Sequence, residues 1–293
     1  MPSATAEPRV EKNVVYAMYS GLALLMDVHH PDRPNGHGLV LIPGSGWQAT
    51  QVYGAGPIKD GGSSLFVYIP SLLNAGYTLF VVNHRAAPRF RYPAAVEDVQ
   101  RAVRFVRSRA REYGISVDRL GAVGYSSGGH LASLLGVLDG IGAADDPDPV
   151  NRLSARVACV VAAAAPSDLA HFEGGDVPGP VAFIGMSPPN PQGTTQDPVA
   201  VATYRAASPV THLSRSSAPL LLMHGDADEA VPFRQSELMF STGQKVGAEV
   251  KLIRVPGGGH GFAREIAKHP EWPDVLGETV RWLDQHLKAT SSR

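Results

Sequence analysis

Gly124-Tyr125-Ser126-Ser127-Gly128-Gly129-His130 sets a serine between glycines two residues away on either side. The short apolar run Leu120 to Val123 precedes it and the apolar stretch His130 to Leu138 follows. This context predicts a strand-to-helix turn with Ser126 at its apex. Small residues at 124 and 128 let strand and helix approach closely, and the turn puts Ser126 in a backbone conformation that non-glycine residues adopt at a cost. The N-terminus of the following helix favours negative charge at the serine. A hydroxyl is a weak nucleophile near neutral pH and needs a base held in place by an acid. Two downstream loops offer both. The run Leu220 to Met223 leads into His224-Gly225-Asp226-Ala227-Asp228-Glu229, and Val250 to Val255 leads into Pro256-Gly257-Gly258-Gly259-His260. His260, in a loop that glycine lets bend, is the expected base. Asp226 adjoins a turn glycine and suits a bracing role; Asp228 lies further into the loop and is the favoured acid.

Acyl transfer also needs donors aimed at an oxyanion. The backbone N–H of Ser127 is one. Pro43-Gly44-Ser45-Gly46-Trp47, after the run Gly38 to Ile42, supplies the others through Gly44, Ser45 and Gly46. Trp47, Tyr125, Phe172 and Phe183 are the expected walls of a substrate pocket.

These loops need a scaffold that brings them to one edge. The apolar runs Gly38–Ile42, Thr78–Asn83, Leu120–Val123, Val157–Ala165, Leu220–Met223 and Val250–Val255 are short and bounded by Gly or Pro, as in strands buried on both faces. Val14 to Val28 reads as two extended segments joined near Ser20-Gly21. Between the runs lie helical patterns. Ala94 to Tyr113 carries Val96, Val99, Val103 and Val106 on one stripe; Pro232 to Lys245 and Trp272 to Leu287 are also amphipathic. Alternating strands and helices predict an α/β fold with a mostly parallel sheet covered on both faces. Residues 12–290 read as a single domain. Residues 166–218 hold no clean strand and read as a cap or lid insertion, whose Phe172, Val181, Phe183, Ile184 and Met186 a solvated loop would not need.

Composition narrows the functional classes. The 293 residues balance 26 Lys and Arg against 27 Asp and Glu, a net charge of −1, without the basic surplus of a nucleic-acid binder or an electrostatic membrane anchor. No apolar run reaches the ~18 residues of a membrane span, and no signal-peptide core is visible; the expectation is a cytoplasmic protein. Cys159, the one cysteine, excludes an intramolecular disulfide and reads as a small buried hydrophobe. No metal set and no cofactor are expected: Asp145-Asp146-Pro147-Asp148 reads as an acidic turn rather than a calcium loop, and His29, His30 and His37 as surface residues. His130 reads as a packed helix residue and His224 as a brace for its loop. The expected partner is a small-molecule ester, and the chain is expected to be a monomer or homodimer.

The separated motifs Pro43–Trp47, Asn83-His84-Arg85-Ala86-Ala87-Pro88 with Tyr92-Pro93-Ala94-Ala95 and Asp98, the serine turn, Ala207-Ser208-Pro209, and the His224 and His260 loops together resemble an α/β-hydrolase of the esterase/lipase group. The similarity is to the hormone-sensitive-lipase-like and BD-FAE-type carboxylesterases and runs from Val14 to Leu287. It implies an α/β-hydrolase fold and carboxylic ester hydrolysis by Ser126, His260 and Asp228. Amide, formamide or sugar-ester hydrolysis, or a catalytically inactive binding protein, are the alternatives. Two departures stand out: Pro43 and Ser45 replace a histidine and a glycine of the family's oxyanion motif, and His84 replaces a tyrosine.

Overall fold

The computed structural model describes residues 9–19, 21–48, 57–172, 178–189 and 197–288. Eight strands form one sheet: β1 (Val10–Tyr19), β2 (Leu22–His29), β3 (Gly38–Ile42), β4 (Thr78–Val82), β5 (Leu120–Tyr125), β6 (Cys159–Ala163), β7 (Leu220–Gly225) and β8 (Val250–Val255). Their order is β1-β2-β4-β3-β5-β6-β7-β8. Only β2 runs against its neighbours; β4, β3 and β5 to β8 are parallel.

The period-two geometry of a strand splits these apolar runs between two cores. Val40, Ile42, Phe80, Val82, Ala122, Val160, Ala162, Leu220 and Leu222 face one side. Leu39, Leu41, Leu79, Val81, Val123, Cys159, Val161, Leu221 and Met223 face the other. Both sets are needed because both sides are roofed. Helices α1 (Ile69–Asn74) and α7 (Val275–Leu287) cover the second face through Leu72, Trp282, Leu283 and Leu287. Helices α2 (Ala94–Ser108), α3 (Ser127–Val137) and α6 (Arg234–Val246) cover the first. Each fully buried Val or Leu here stabilises the fold by about 1.5–3 kcal/mol.

The predicted runs Gly38–Ile42 and Val250–Val255 are β3 and β8 residue for residue. Helix α2 stops at Ser108, five residues before the expected end, and the chain turns through Gly114, whose φ of +64° is left-handed. Its arginines do more than solvate one face. Arg104 Nε donates to Leu153 O (2.9 Å) and Arg107 Nε to Ser154 O (2.9 Å), and Arg101 pairs with Asp148 (2.7 Å), so α2 holds the segment leading to β6.

The long connection from β6 to β7 carries two helices, α4 (Pro178–Ile184) and α5 (Pro198–Ala207), that sequence periodicity did not predict. Residues 173–177 and 190–196 of the expected cap lie outside the described residues, as do Ser20 and residues 289–290. The Asn83–Pro88 motif is structural: Arg85 Nε lies 2.9 Å from Asp98 Oδ1, and Asp98 Oδ2 accepts from Arg85 N–H (2.7 Å). This fully buried carboxylate locks the loop after β4 onto α2.

Candidate functional site

Ser126 lies between β5 and α3 with φ 55° and ψ −126°, a conformation costly for a residue with a Cβ. Two hydrogen bonds hold it: Ser126 N–H to Ala163 O (2.8 Å) and His130 N–H to Ser126 O (3.0 Å). Close approach fixes the flanking glycines. A Cβ on Gly124 would collide with Gly128 O, and one on Gly128 with Ile42 O at the end of β3.

Asp228 sits in the turn after β7 and His260 in the loop after β8, so both reach the carboxyl edge of the sheet where Ser126 stands. His260 Nε2 is 3.0 Å from Ser126 Oγ, and His260 Nδ1 is 2.8 Å from Asp228 Oδ2. The His260 side chain is one-third exposed and that of Asp228 fully buried. Burial alone would raise the Asp228 carboxyl. Hydrogen bonds from His224 and His260 outweigh it and hold the group well below the usual carboxylate range, so it is ionised. Asp226 points elsewhere, accepting from Arg254 Nε (2.6 Å) and Gly257 N–H (2.6 Å). It braces one loop against the other, as its place beside the turn glycine suggested, and Asp228 is the carboxylate that meets His260.

The loop after β3 departs from the expected arrangement. Gly44 N–H donates to Ser63 Oγ (3.0 Å) and Ser45 N–H to Ser127 Oγ (2.9 Å). Two of the four anticipated oxyanion donors are therefore already engaged. Gly46 and Ser127 keep backbone N–H groups with no acceptor among the described residues. The Ser45 hydroxyl is buried with no hydrogen-bond partner among the described residues. Sequence reading missed Ser63, whose only signal is its place in Gly61-Gly62-Ser63-Ser64, where it caps a short 3₁₀ turn.

The four aromatics expected as pocket walls are instead packed inside. Tyr125, 2% exposed, spends its hydroxyl on His260 O (2.7 Å) and so supports that loop from β5. Trp47, also 2% exposed, stacks on Phe183 of α4 at 4.8 Å between ring centroids. Trp47 Nε1–H donates to His130 Nδ1 (3.1 Å), and His130 Nε2 meets Ala207 O (2.7 Å) at the end of α5. Burial pushes the His130 imidazole down to about 4, so it stays neutral. Phe172 is likewise buried. Apolar area decides this: Trp47 and Phe183 bury against one another to seat the β6–β7 connection on the sheet, while Tyr125 packs on Phe262 in the opposite core.

His29, His30 and His37 are half-buried rather than at the surface, with His30 Nε2 on Glu11 (2.8 Å). Asp146 and Asp148 are committed to Asn151, Arg101 and backbone N–H groups. Among the described residues no three His, Cys, Asp or Glu side chains are grouped to hold a metal ion, and no helix is long and apolar enough to cross a membrane. A cleft of about 870 Å³ between His29–Arg33 and Ile69–Asn74 opens at the amino edge of the sheet, away from Ser126.

A parallel sheet with one reversed strand, a strained serine after the fifth strand, and carboxylate and histidine loops after the last two define an α/β-hydrolase. The chain belongs to the BD-FAE family, whose model matches residues 26–242. It is similar to a truncated carbohydrate esterase from gut microbiota, at 26% identity and a TM-score of 0.77 over 96% of this chain and 97% of that one. It also resembles an acetyl ester-xyloside bifunctional hydrolase from Caldicellulosiruptor lactoaceticus, at 25% identity and a TM-score of 0.75 over 96% and 98%. Among curated proteins it is 26% identical to the esterase LipC of Mycobacterium tuberculosis over 76% of this chain and 52% of LipC. The chain spans about half the length of the curated relatives it matches.

Proposed function

We propose that the protein hydrolyses carboxylic esters of short acyl groups through Ser126, His260 and Asp228. The carrying observation is the continuous chain of contacts from Ser126 Oγ to His260 (3.0 Å) and from His260 to Asp228 (2.8 Å). Asp228 accepts the Nδ1 hydrogen and so leaves the Nε2 lone pair facing the serine. His260 then removes the hydroxyl proton as Ser126 attacks the acyl carbon, and returns it to the leaving alkoxide. Water, activated by the same imidazole, releases the acid from the acyl-enzyme. Gly46 and Ser127 N–H stabilise the oxyanion, while Ser45 N–H, held by Ser127 Oγ, keeps the loop in place. No step calls on a cofactor.

Residues 12–290 form one domain in this reading and 166–218 its cap. Trp47 follows Gly46 directly and its ring is fixed on Phe183, and bulk of that kind next to the oxyanion loop would favour short acyl groups. Hydrolysis of p-nitrophenyl acetate, butyrate, octanoate and laurate, with Ser126→Ala alongside, tests this. Fast turnover of the short esters that disappears in the variant is expected; equal turnover in Ser126→Ala refutes the assignment.

A second reading narrows the alcohol to a sugar. The two structural relatives described above are named for carbohydrate ester and acetyl ester-xyloside hydrolysis. Acetate release from acetylated xylo-oligosaccharides, compared with p-nitrophenyl acetate, decides it. A kcat/KM no better on the sugar ester returns the protein to the broader class.

A further inference from the structure

We propose that His224 is a positioning residue for the reacting histidine, filling the last acceptor site of the Asp228 carboxylate and so setting the plane and charge that His260 meets. The inference rests on the ester-hydrolase reading and extends the Ser–His–Asp chain by two residues.

The Asp228 carboxylate meets four donors. Oδ1 accepts from Ala230 N–H (2.9 Å) and Val231 N–H (2.8 Å). Oδ2 lies 2.8 Å from His260 Nδ1 and 3.2 Å from His224 Nε2. A carboxylate offers about four lone-pair sites, so every one is used and none is left for water. This matters because the side chains of both Asp228 and His224 are fully buried. An ionised carboxylate without solvent depends on each donor it has.

The hydrogen positions on His224 follow from its surroundings. Its Nε2 is 2.9 Å from Val231 O, which can only accept, so Nε2 carries a hydrogen and shares it between that carbonyl and Asp228. Its Nδ1 is 2.7 Å from Ser236 Oγ on α6. Ser236 is buried and its hydroxyl meets no other acceptor among the described residues, so it donates to Nδ1. Phe233 packs edge-on against the ring at 5.8 Å. The order is therefore Ser236 to His224 to Asp228 from one side, and Ser126 to His260 to Asp228 from the other.

Two consequences separate this role from simple loop bracing. Without His224 the carboxylate loses one restraint on its rotation. It also directs onto His260 the charge it had divided between two imidazoles. The groups facing the Asp228–His260 pair are His224 from β7 and Tyr125 from β5, the latter with Arg264 near enough to act on its hydroxyl; Asp226 is turned to Arg254. Removing the His224 donor makes the pair hold its proton more tightly, which moves the acidic limb of kcat/KM to higher pH.

The test uses His224→Phe, His224→Gln and Ser236→Ala. The readouts are kcat and KM on p-nitrophenyl acetate from pH 5 to 9, thermal unfolding, and the low-field proton resonance of the His260–Asp228 hydrogen bond. Expected for His224→Phe is a kcat loss of about 10- to 100-fold with KM within about twofold, an acidic limb at higher pH and a displaced low-field proton. His224→Gln, which can present a side-chain N–H near the Nε2 position, is expected to restore most of kcat. Ser236→Ala is expected to move kcat and the limb the same way by a smaller amount, and it carries the test if His224→Phe does not fold. An unmoved limb and proton resonance in the folded variants overturn the proposal, as does an equal kcat loss in His224→Phe and His224→Gln. A wild type that turns over no ester, yet shows the His224-dependent low-field proton, overturns the ester-hydrolase reading and leaves the hydrogen-bond assignment standing.

Discussion

Replacing His130 by glutamine should remove a large part of the acid sensitivity of the fold. His130 is fully buried between Trp47 Nε1–H and the Ala207 carbonyl, and burial holds its imidazole near 4 instead of 6.5. The depressed value fixes the sign. Between pH 6.5 and about 4 the unfolded chain binds a proton at this residue and the folded protein does not. Stability from the neutral ring is thus complete above pH 6.5 and is lost as pH falls toward 4. The gap corresponds to about 3 kcal/mol, of which about 2–3 kcal/mol is expressed by pH 4.5. Burial also lowers His29, His37, His84 and His286, but those groups are common to wild type and variant and cancel in the difference. His130→Gln should be less stable than wild type at pH 7, because it loses ring packing against Phe183 and Trp47. Its deficit should shrink by about 2–3 kcal/mol at pH 4.5. Urea unfolding of both proteins at the two pH values, followed by far-UV circular dichroism, measures this. A deficit that stays constant with pH would refute the reasoning.

Asp228→Asn should lower kcat by about 10⁴-fold, since an amide cannot hold the imidazole hydrogen as a carboxylate does. Asp226→Asn, which disturbs only the contacts to Arg254 and Gly257, should cost less than about 10-fold, and steady-state kinetics showing equal losses would reverse the assignment. Ser127→Ala removes the acceptor that holds Ser45 N–H; a kcat drop of about 10-fold at nearly unchanged KM and melting temperature is expected, and a full-rate variant would show that the loop needs no such tether.

Much of this geometry is legible in the chain. Glycines at 124 and 128 mark the serine turn because only a missing Cβ lets β5, α3 and the end of β3 meet there. Strands β3 to β7 are legible because each run is bounded by turn residues and buried on both faces, whereas β8, expected to be the same, is an edge strand with Lys251 and Arg254 exposed. The helices between β6 and β7 are not, because their apolar residues pack on loops and aromatic rings rather than along one periodic stripe. Trp47 and Phe183 read naturally as pocket walls, since nothing local tells an aromatic that faces substrate from one that faces another aromatic across 136 residues of sequence. The reach of His224 to Asp228 was also invisible: it depends on how tightly the turn from Gly225 to Val231 closes, and on α6 bringing Ser236 beneath the ring.

Strands β6 and β7 are hydrogen-bonded neighbours, Val160 beside Leu220, and Ala164 N–H bonds to Met223 O just past the strand end. The two strands are parallel, so the excursion leaves at the carboxyl edge beside Met223 and crosses back to enter β7 at the amino edge beside Val160, between two anchors that the sheet holds fixed. Such a segment behaves as an exchangeable module. Closing a longer or shorter excursion costs little, because the entropy grows only with the logarithm of its length. The serine, histidine and carboxylate lie in the turns that follow β5, β8 and β7, none of them within it. Divergence or laboratory recombination could thus swap this segment and change what reaches the serine. The replacement must still present an aromatic ring to Trp47 and a carbonyl to His130.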